Sequence, residues 1–259
     1  MSDGGSQLPL QRLTQNGSHI EKETIVEESA IELYALDQSG NFYSHATLLA
    51  TPFELIELYA GHIHSEGYSS SSLSLDAFKI QDSPQLHVEY HGKLSTEPRT
   101  KIVTSSCGAC NHPDLSIEKS GDILEQNPHQ SIDLIQIHEL LNSLTNQMSL
   151  FQQSGGSHGC GLFFIEHGIR FVSEDIGRHN AVDKAIGKAI LNGGVVLNQA
   201  LLLLSGRCGW DIVAKAVRTG IPAIASLGAF STAAIHLARE HNLVLYGFVK
   251  ENGAWKVGS

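Results

Sequence analysis

The sequence is poor in cysteine and in positive charge, and it has no long apolar run. Its 259 residues contain four cysteines, and 17 lysines and arginines stand against 27 aspartates and glutamates. The net charge of −10 argues against a nucleic-acid or membrane surface as the main partner, because such anionic surfaces attract basic faces. The longest strongly apolar run, ALLLLSG, is too short to cross a bilayer, and the first residues lack the apolar stretch of a signal peptide. We therefore expect a globular protein of the cytoplasm, where thiols stay reduced.

The pattern of apolar residues divides the chain into three parts. Residues 1–24 are polar and show no periodicity, which predicts a disordered tail. Residues 25–128 contain a predicted hairpin around Gly40, a helix that starts at Thr51, and a second extended pair before a loop with two cysteines. The polar stretch SGDILEQNPHQS predicts the junction to the third part, residues 129–259.

Strands and helices alternate in the third part. An apolar stripe from Leu134 to Phe151 predicts a helix, and a hairpin is predicted around Gly168. A predicted helix from Gly177 to Leu191 follows, and the later runs ALLLLSG, PAIAS and LVLYGFV are typical of strands separated by helices. This order predicts an α/β fold with helices packed against a parallel or mixed sheet.

Three polar loops, SEDIGRHNAVDK, SGRCGWD and SLGAFST, each follow a predicted strand. Open α/β sheets bind ligands outside the carboxyl ends of their strands, so these loops predict a pocket. Cations and donors near its helix N-termini would suit an anion such as phosphate, although ordinary helix capping and surface charge explain them equally well. These candidate residues are Arg178, His179, Asn180, Lys184 and Arg207.

Two cysteines stand three positions apart in TSSCGACNH, at Cys107 and Cys110. A structural zinc site needs four ligands, and the other two cysteines, Cys160 and Cys208, are isolated in the sequence. The H-x-E and P-C-x-x-C motifs of a zinc deaminase are incomplete. A thioredoxin-type dithiol precedes a helix, whereas Pro113 makes a poor helix start. We therefore predict no metal site.

The residues around Cys107 and Cys110 are Ser, Gly, Ala and Asn, which are typical of an exposed loop; two small buried residues are the alternative. A cysteine whose pKa is lowered to about 7 is about half thiolate, whereas an ordinary cysteine is only a few per cent thiolate. A thiolate that attacks a persulfide can accept its terminal sulfur. The pair is therefore compatible with a sulfur-carrying nucleophile and a second thiol that assists release.

Longer motifs occur along the chain in the order ATPFELIELYAGHIHSEG, SSCGACN, SGGSHGCGLF, SEDIGRHNAVDKAIG, LLLSGRCGWDIVAKAVRTGIPAIAS and LVLYGFVK. Their order and spacing resemble the formate dehydrogenase accessory sulfurtransferase (FdhD) family, over roughly residues 25–250. The string EDIGRHNAVDK is the most specific part of this resemblance, whereas a bare C-x-x-C would carry little weight.

The resemblance implies a sulfurtransferase that acts as a sulfur carrier. Such a protein takes persulfide sulfur from a cysteine desulfurase and passes it to the molybdenum (or tungsten) bis-guanine-dinucleotide cofactor of a formate dehydrogenase. A cofactor-binding chaperone without sulfur transfer is the alternative. The resemblance further implies a homodimer whose pocket also accepts a guanine nucleotide such as GDP, with neither nucleic acid nor membrane as a partner.

The implied fold is a cytidine deaminase-like three-layer α/β sandwich, with a smaller mixed α+β N-terminal part and a flexible N-terminal tail. Carried over by motif, Cys107 would hold the persulfide and Cys110 would be its partner thiol. Arg178, His179 and Arg207 would line the nucleotide pocket. A cofactor-contacting stretch just after the last strand would comprise Phe248, Val249, Lys250, Glu251, Asn252 and Gly253.

Three positions depart from the family pattern. Asn111 replaces a glycine after the C-x-x-C pair, and the segment LGAFS lacks a proline at the pocket edge. Lys250 replaces an arginine, which gives a point charge where a planar guanidinium could bind phosphate with two hydrogen bonds. His158, in a glycine-rich loop, is predicted to be structural or to face a phosphate.

Overall fold

The computed structural model describes residues 4–69, 72–83, 85–95, 102–103, 127–129, 132–193 and 195–258. Cys107, Cys110 and most of the predicted junction at 120–131 lie outside these residues. The predicted boundary between residues 128 and 129 therefore stays a prediction. No helix within the described ranges is both long and apolar enough to span a bilayer.

Residues 5–26 form a β-hairpin, so the prediction of a disordered, flexible tail over residues 1–24 is wrong for residues 5–24. Strand β1 (Gly5–Thr14) pairs with strand β2 (Gly17–Val26) in a continuous antiparallel ladder. Most of its side chains are exposed. The ladder is held by backbone hydrogen bonds on either side of a two-residue turn at Gln15 and Asn16. A prediction based on the burial of apolar residues does not detect such bonds.

The first sheet has five strands in the order β5-β6-β3-β4-β7. Helix α1 (Leu55–Ser65) packs on it, and the predicted hairpin around Gly40 is confirmed by the antiparallel pairing of β3 with β4. The helix begins four residues after the predicted start at Thr51, because Thr51 is used elsewhere: its hydroxyl accepts a hydrogen bond from the N–H of Ile176. The strands are β3 (Ser29–Leu36), β4 (Phe42–Ala50), β5 (Phe78–Gln81), β6 (His87–Lys93) and β7 (Ile102–Val103).

The second sheet has six strands in the order β13-β12-β11-β10-β8-β9. Strands β9, β10, β11 and β12 run in one direction, while β8 and β13 run against them, so the sheet is mixed as predicted. Its last strand, β13, was not predicted. The strands are β8 (His158–Phe164), β9 (Gly168–Asp175), β10 (Leu201–Leu204), β11 (Ala223–Ser226), β12 (Val244–Lys250) and β13 (Gly253–Val257).

Helices cover both faces of the second sheet and give it three layers. Alternate side chains of β10 point to opposite faces: Leu202 and Leu204 pack with α4, α5 and α6, while Leu201 and Leu203 pack with α2. The single helix predicted over 134–151 is two helices, because the helical conformation is interrupted at residues 147 and 148. The helices are α2 (Leu134–Asn146), α3 (Ser149–Ser154), α4 (Arg178–Asn192), α5 (Trp210–Thr219) and α6 (Thr232–Glu240).

The two sheets are joined where α1 packs directly on α4 through two glycines. A methyl group on Gly61 would overlap the carbonyl oxygen of Asp183, and one on Gly187 would overlap that of Glu57. The backbones of α1 and α4 are therefore in direct contact at these two positions, which only glycine allows because it has no side chain.

Replacing Gly187 with alanine is expected to lower the free energy of unfolding by about 2–3 kcal/mol, because the added methyl group forces α1 away from α4. Helix propensity alone predicts the opposite sign, since alanine is favoured over glycine in a helix by about 1 kcal/mol. Urea unfolding measures the difference. Gly253→Ala is the matched control, because no atom lies within 4 Å of its added methyl group. A Gly187→Ala variant as stable as the control would contradict the described packing.

Buried charges also join α1, α4 and α5. The ammonium group of Lys215 donates to Asp183 at 3.0 Å, to Ser65 at 2.9 Å and to Glu66 at 2.5 Å. Arg218 donates to Glu66 at 3.1 Å. Two cations thus balance two carboxylates in a site that solvent hardly reaches.

Candidate functional site

Four parallel strands of the second sheet end at the same edge, and the three predicted pocket loops meet there as expected. The hydroxyl of Ser226, at the end of β11, donates to the carbonyl of Gly206 in the loop after β10. The N–H of Phe248, near the end of β12, donates to the carbonyl of Gly228 at 3.0 Å. His158 lies beside Gly206, because β8 starts where β10 ends.

The N-termini of α4 and α5 supply the cationic part of this edge. Arg178 and His179 occupy the first turn of α4, and Asp211 occupies the first turn of α5. Nε2 of His179 contacts Oδ2 of Asp211, which lies 3.7 Å from a terminal nitrogen of Arg178. The Nε of Arg178 is buried without a hydrogen-bond partner among the described residues, so this guanidinium retains a donor.

Arg207 and His158 complete the positive charge at this edge. Arg207 is exposed in the loop between β10 and α5. Burial lowers the pKa of His158, and the positive charges of Arg178 and Arg207 lower it further. At neutral pH the imidazole is therefore a neutral donor and acceptor, while the two guanidinium groups carry the charge.

Two of the predicted pocket residues are structural instead. Lys184 is fully buried and pairs with Asp175 at 2.6 Å. The side-chain amide of Asn180 donates to the carbonyl of Leu49 at 2.8 Å and to Asp175 at 3.0 Å. Both residues face inward from α4 and connect the second sheet to the end of β4, so the prediction that they face a ligand is wrong.

The predicted cofactor-contacting stretch does not follow the last strand. Its first residues, Phe248 to Lys250, end β12; Glu251 and Asn252 form the turn, and Gly253 begins β13. Val249 is buried against the core beneath α2, whereas Lys250, Glu251 and Asn252 are exposed.

Phe248 has the left-handed backbone conformation that non-glycine residues rarely adopt, with φ of 52°. Its side chain is 44% exposed, and its ring lies 6.3 Å from that of Phe230 in the loop after β11. Backbone strain of this kind tends to persist at ligand-binding sites, and two partly exposed aromatic rings offer a surface on which a planar base could stack.

The two isolated cysteines are buried in the core of the second sheet. Burial raises the pKa of Cys208 to about 12, and the Asp211 carboxylate acts in the same direction. Burial also raises the pKa of Cys160. Neither thiol is ionised at neutral pH, so neither is a nucleophile in the folded protein.

The same edge is connected to the strand that precedes the C-x-x-C pair. The backbone N–H of Thr51, just after β4, donates to Asp175 at 3.0 Å. Strand β7 runs parallel to β4, with Val103 opposite Leu48. Val103 is four residues before Cys107 in the sequence. Strands β4 and β7 therefore both run toward the edge that holds Asp175 and the first turn of α4.

Asp211 is the residue of this site that the sequence did not reveal. An aspartate in the first turn of a helix is a common stabilising feature, so the motif GWD gives no sign of a role beyond α5. The contacts of Asp211 with α4 depend on the packing of α5 against α4. The first turns of these helices, at residues 178 and 211, lie 33 positions apart in the sequence.

The fold and the site define a mixed α/β protein with cationic side chains and two helix N-termini at the carboxyl edge of its sheet. A sequence model of the FdhD/NarQ family matches residues 26–255. The chain therefore belongs to the FdhD/NarQ family, as the sequence motifs predicted.

Curated relatives agree with this assignment, and a solved structure shares the fold. The chain is 31% identical to the sulfur carrier protein FdhD of Sulfurisphaera tokodaii, over 90% of this chain and 89% of the relative. It is 29% identical to that of Thermoplasma acidophilum, over 96% and 90%. A crystal structure of a formate dehydrogenase accessory protein from Desulfotalea psychrophila has the same fold, with a TM-score of 0.77, 21% identity and coverage of 99% and 98%.

Proposed function

We propose that this protein is a sulfurtransferase that carries persulfide sulfur on Cys107. It takes this sulfur from a cysteine desulfurase and delivers it to the molybdenum (or tungsten) bis-guanine-dinucleotide cofactor of a formate dehydrogenase. The observation that carries the proposal is the family match over residues 26–255, which includes Cys107 and Cys110. The relatives that bear the name sulfur carrier protein FdhD support it.

Loading and release can be written with balanced atoms. The Cys107 thiolate attacks the terminal sulfur of the desulfurase persulfide, the sulfur–sulfur bond breaks, and the desulfurase cysteine leaves as a thiolate. For release, the Cys110 thiolate attacks Sγ of Cys107 and expels the terminal sulfur as hydrosulfide. The resulting Cys107–Cys110 disulfide accounts for the two electrons, and a cellular thiol reduces it before the next round.

The cargo fits the cationic edge of the second sheet. Arg178 and Arg207 provide positive charge beside the N-termini of α4 and α5, whose N-cap residues, Gly177 and Gly209, form no side-chain cap; helix N-termini beside cations are an arrangement that binds phosphate. Phe230 and Phe248 provide two partly exposed aromatic rings beside it, packed edge to face. We propose that this pocket binds the cofactor's guanine nucleotides, that free GDP occupies it as well, and that the protein works in the cytoplasm as a homodimer with a cytidine deaminase-like sheet.

Chain connectivity supports the transfer of sulfur from Cys107 to a cofactor bound in this pocket. Four extended residues span at most about 14 Å, so the distance from Val103 to Cys107 is limited by covalent geometry. Val103 lies beside β4, whose end is hydrogen-bonded to Asp175 next to the pocket. A short reach from the sulfur-carrying thiol to the bound cargo favours transfer without release of sulfur into solution.

Mass spectrometry of the full chain tests the proposal directly. After incubation with a cysteine desulfurase and cysteine, the peptide that contains Cys107 is expected to gain the mass of one sulfur atom. Cys160 and Cys208 are internal controls, since both thiols are buried and un-ionised in the folded protein. Sulfur on neither residue of the C-x-x-C pair, together with tight binding of GDP, would contradict sulfur transfer and favour a cofactor-binding chaperone.

A further inference from the structure

We propose that Asp211 positions two residues in the first turn of α4, Arg178 and His179, for binding the phosphate groups of a nucleotide. The inference rests on the proposed function, because it assigns a role within the same pocket. Asp211 does not touch the ligand in this proposal. It acts through the two side chains that it holds.

The geometry places one carboxylate between two helix N-termini. Oδ1 of Asp211 accepts a hydrogen bond from the N–H of Ile212 at 3.0 Å, which fixes the carboxylate on the first turn of α5. The other oxygen, Oδ2, contacts Nε2 of His179 and lies 3.7 Å from the Arg178 guanidinium. A single rigid group thus orients both side chains of the neighbouring helix.

Burial makes this orientation effective. The side chains of Asp211, Arg178 and His179 are 12%, 22% and 7% exposed, so water competes weakly for their interactions. Arg178 keeps a buried Nε donor that no described residue accepts. A planar guanidinium held by one ion pair, with a donor left over, is suited to bind the oxygens of a phosphate group.

A carboxylate beside an anion pocket has two opposing effects on affinity. Its negative charge repels a phosphate, so a purely electrostatic role predicts that its removal tightens phosphate binding. Because Asp211 already holds Arg178 and His179 in place, these side chains lose less conformational freedom when phosphate binds. A positioning role therefore predicts that removal of Asp211 weakens phosphate binding. The sign of the change therefore distinguishes the two roles.

Calorimetric titration of the full-length protein with GDP, GMP and guanosine provides the test. The Asp211→Ala variant is expected to bind GDP about tenfold more weakly, because the released side chains of Arg178 and His179 must then be ordered by the ligand. Binding of guanosine, which has no phosphate, is expected to stay unchanged, and Asp211→Glu is expected to restore part of the GDP affinity. Asp76→Ala, at an exposed aspartate in the first half of the chain, is the matched control.

Several outcomes would overturn the inference. An Asp211→Ala variant that binds GDP as tightly as the wild type, or more tightly, excludes a positioning role. Equal weakening of GDP and guanosine binding assigns Asp211 to the fold of α5 alone. A wild-type protein that binds no GDP refutes the nucleotide pocket and with it this role, whereas sulfur loading on Cys107 is measured separately and is not affected by that result.

Discussion

Replacement of Cys107 by serine is expected to reduce sulfur delivery to a formate dehydrogenase by at least about 100-fold. Loss of a covalent nucleophile removes the reaction path itself, so the effect is larger than loss of any binding contact. A serine hydroxyl is nearly isosteric, yet it is un-ionised at neutral pH and cannot hold a persulfide. The measurement is formate dehydrogenase activity in cells whose own carrier has been deleted and replaced by the variant.

Two further variants make this result specific. Cys110→Ser is expected to load sulfur on Cys107 but to release it slowly, so the persulfide should accumulate in mass spectra. Cys208→Ser is the matched control, since that thiol is buried and its pKa is raised to about 12. If cells with Cys107→Ser retained full dehydrogenase activity, the protein would not act as a sulfur carrier through this residue.

The sequence predicted those elements whose apolar pattern is also their packing pattern. Strand β10 is a run of four leucines buried on both faces, and α6 is preceded by Ser231, whose hydroxyl accepts from the N–H of Ala234 as a helix cap. The hairpin of β1 and β2 has no such pattern, because its residues are mostly exposed. The periodicity of apolar residues in a sequence indicates which side chains are buried. An exposed hairpin that is held by backbone hydrogen bonds therefore has no clear apolar pattern.

Tertiary contacts decided the elements that were predicted incorrectly. Thr51 and Pro52 resemble a helix start, but Thr51 bonds across to Asp175 and Ile176, and α1 begins only at Leu55. These partners are about 125 positions away in the sequence. No local rule can anticipate a bond of that range.

The site was predictable as a set of loops but not as a set of roles. Parallel strands place their following loops at one edge, which brought Arg178, His179 and Arg207 together as expected. The sequence could not separate these residues from Asn180 and Lys184 in the same motif. Helical geometry places residues four positions apart, such as Asn180 and Lys184, on the same inward face, where both contact Asp175.

Replacing Lys215 with methionine is expected to lower the free energy of unfolding by about 3–5 kcal/mol at pH 7. Removing one partner of a buried ion pair leaves its counter-charge uncompensated, and that cost exceeds the value of the pair itself. In this cluster, Glu66 would keep its ion pair with Arg218, whereas Asp183 would lose the lysine and keep the contact with the His62 imidazole at 3.4 Å. Urea unfolding measures the effect, and the exposed Lys22→Met is the matched control, with an expected change below about 0.5 kcal/mol.

The pH dependence distinguishes this electrostatic cost from lost packing. Burial alone raises the pKa of Glu66, but Lys215, His62 and Arg218 lower it to about 2 from an ordinary value of 4.5. Burial likewise raises the pKa of Asp183, and Lys215 and His62 bring it below its ordinary value. In the wild type, the stability that Glu66 contributes is fully present above pH 4.5 and is lost as the pH falls toward 2.

In Lys215→Met the pKa values of both carboxyl groups are expected to rise, because burial is no longer offset by the ammonium group. One carboxyl group can then take up a proton and remove the uncompensated charge. The difference in stability between variant and wild type should therefore shrink as the pH falls from 7 to 5. A difference that stays constant across this range would instead assign the loss to the packing of the lysine side chain between α1, α4 and α5.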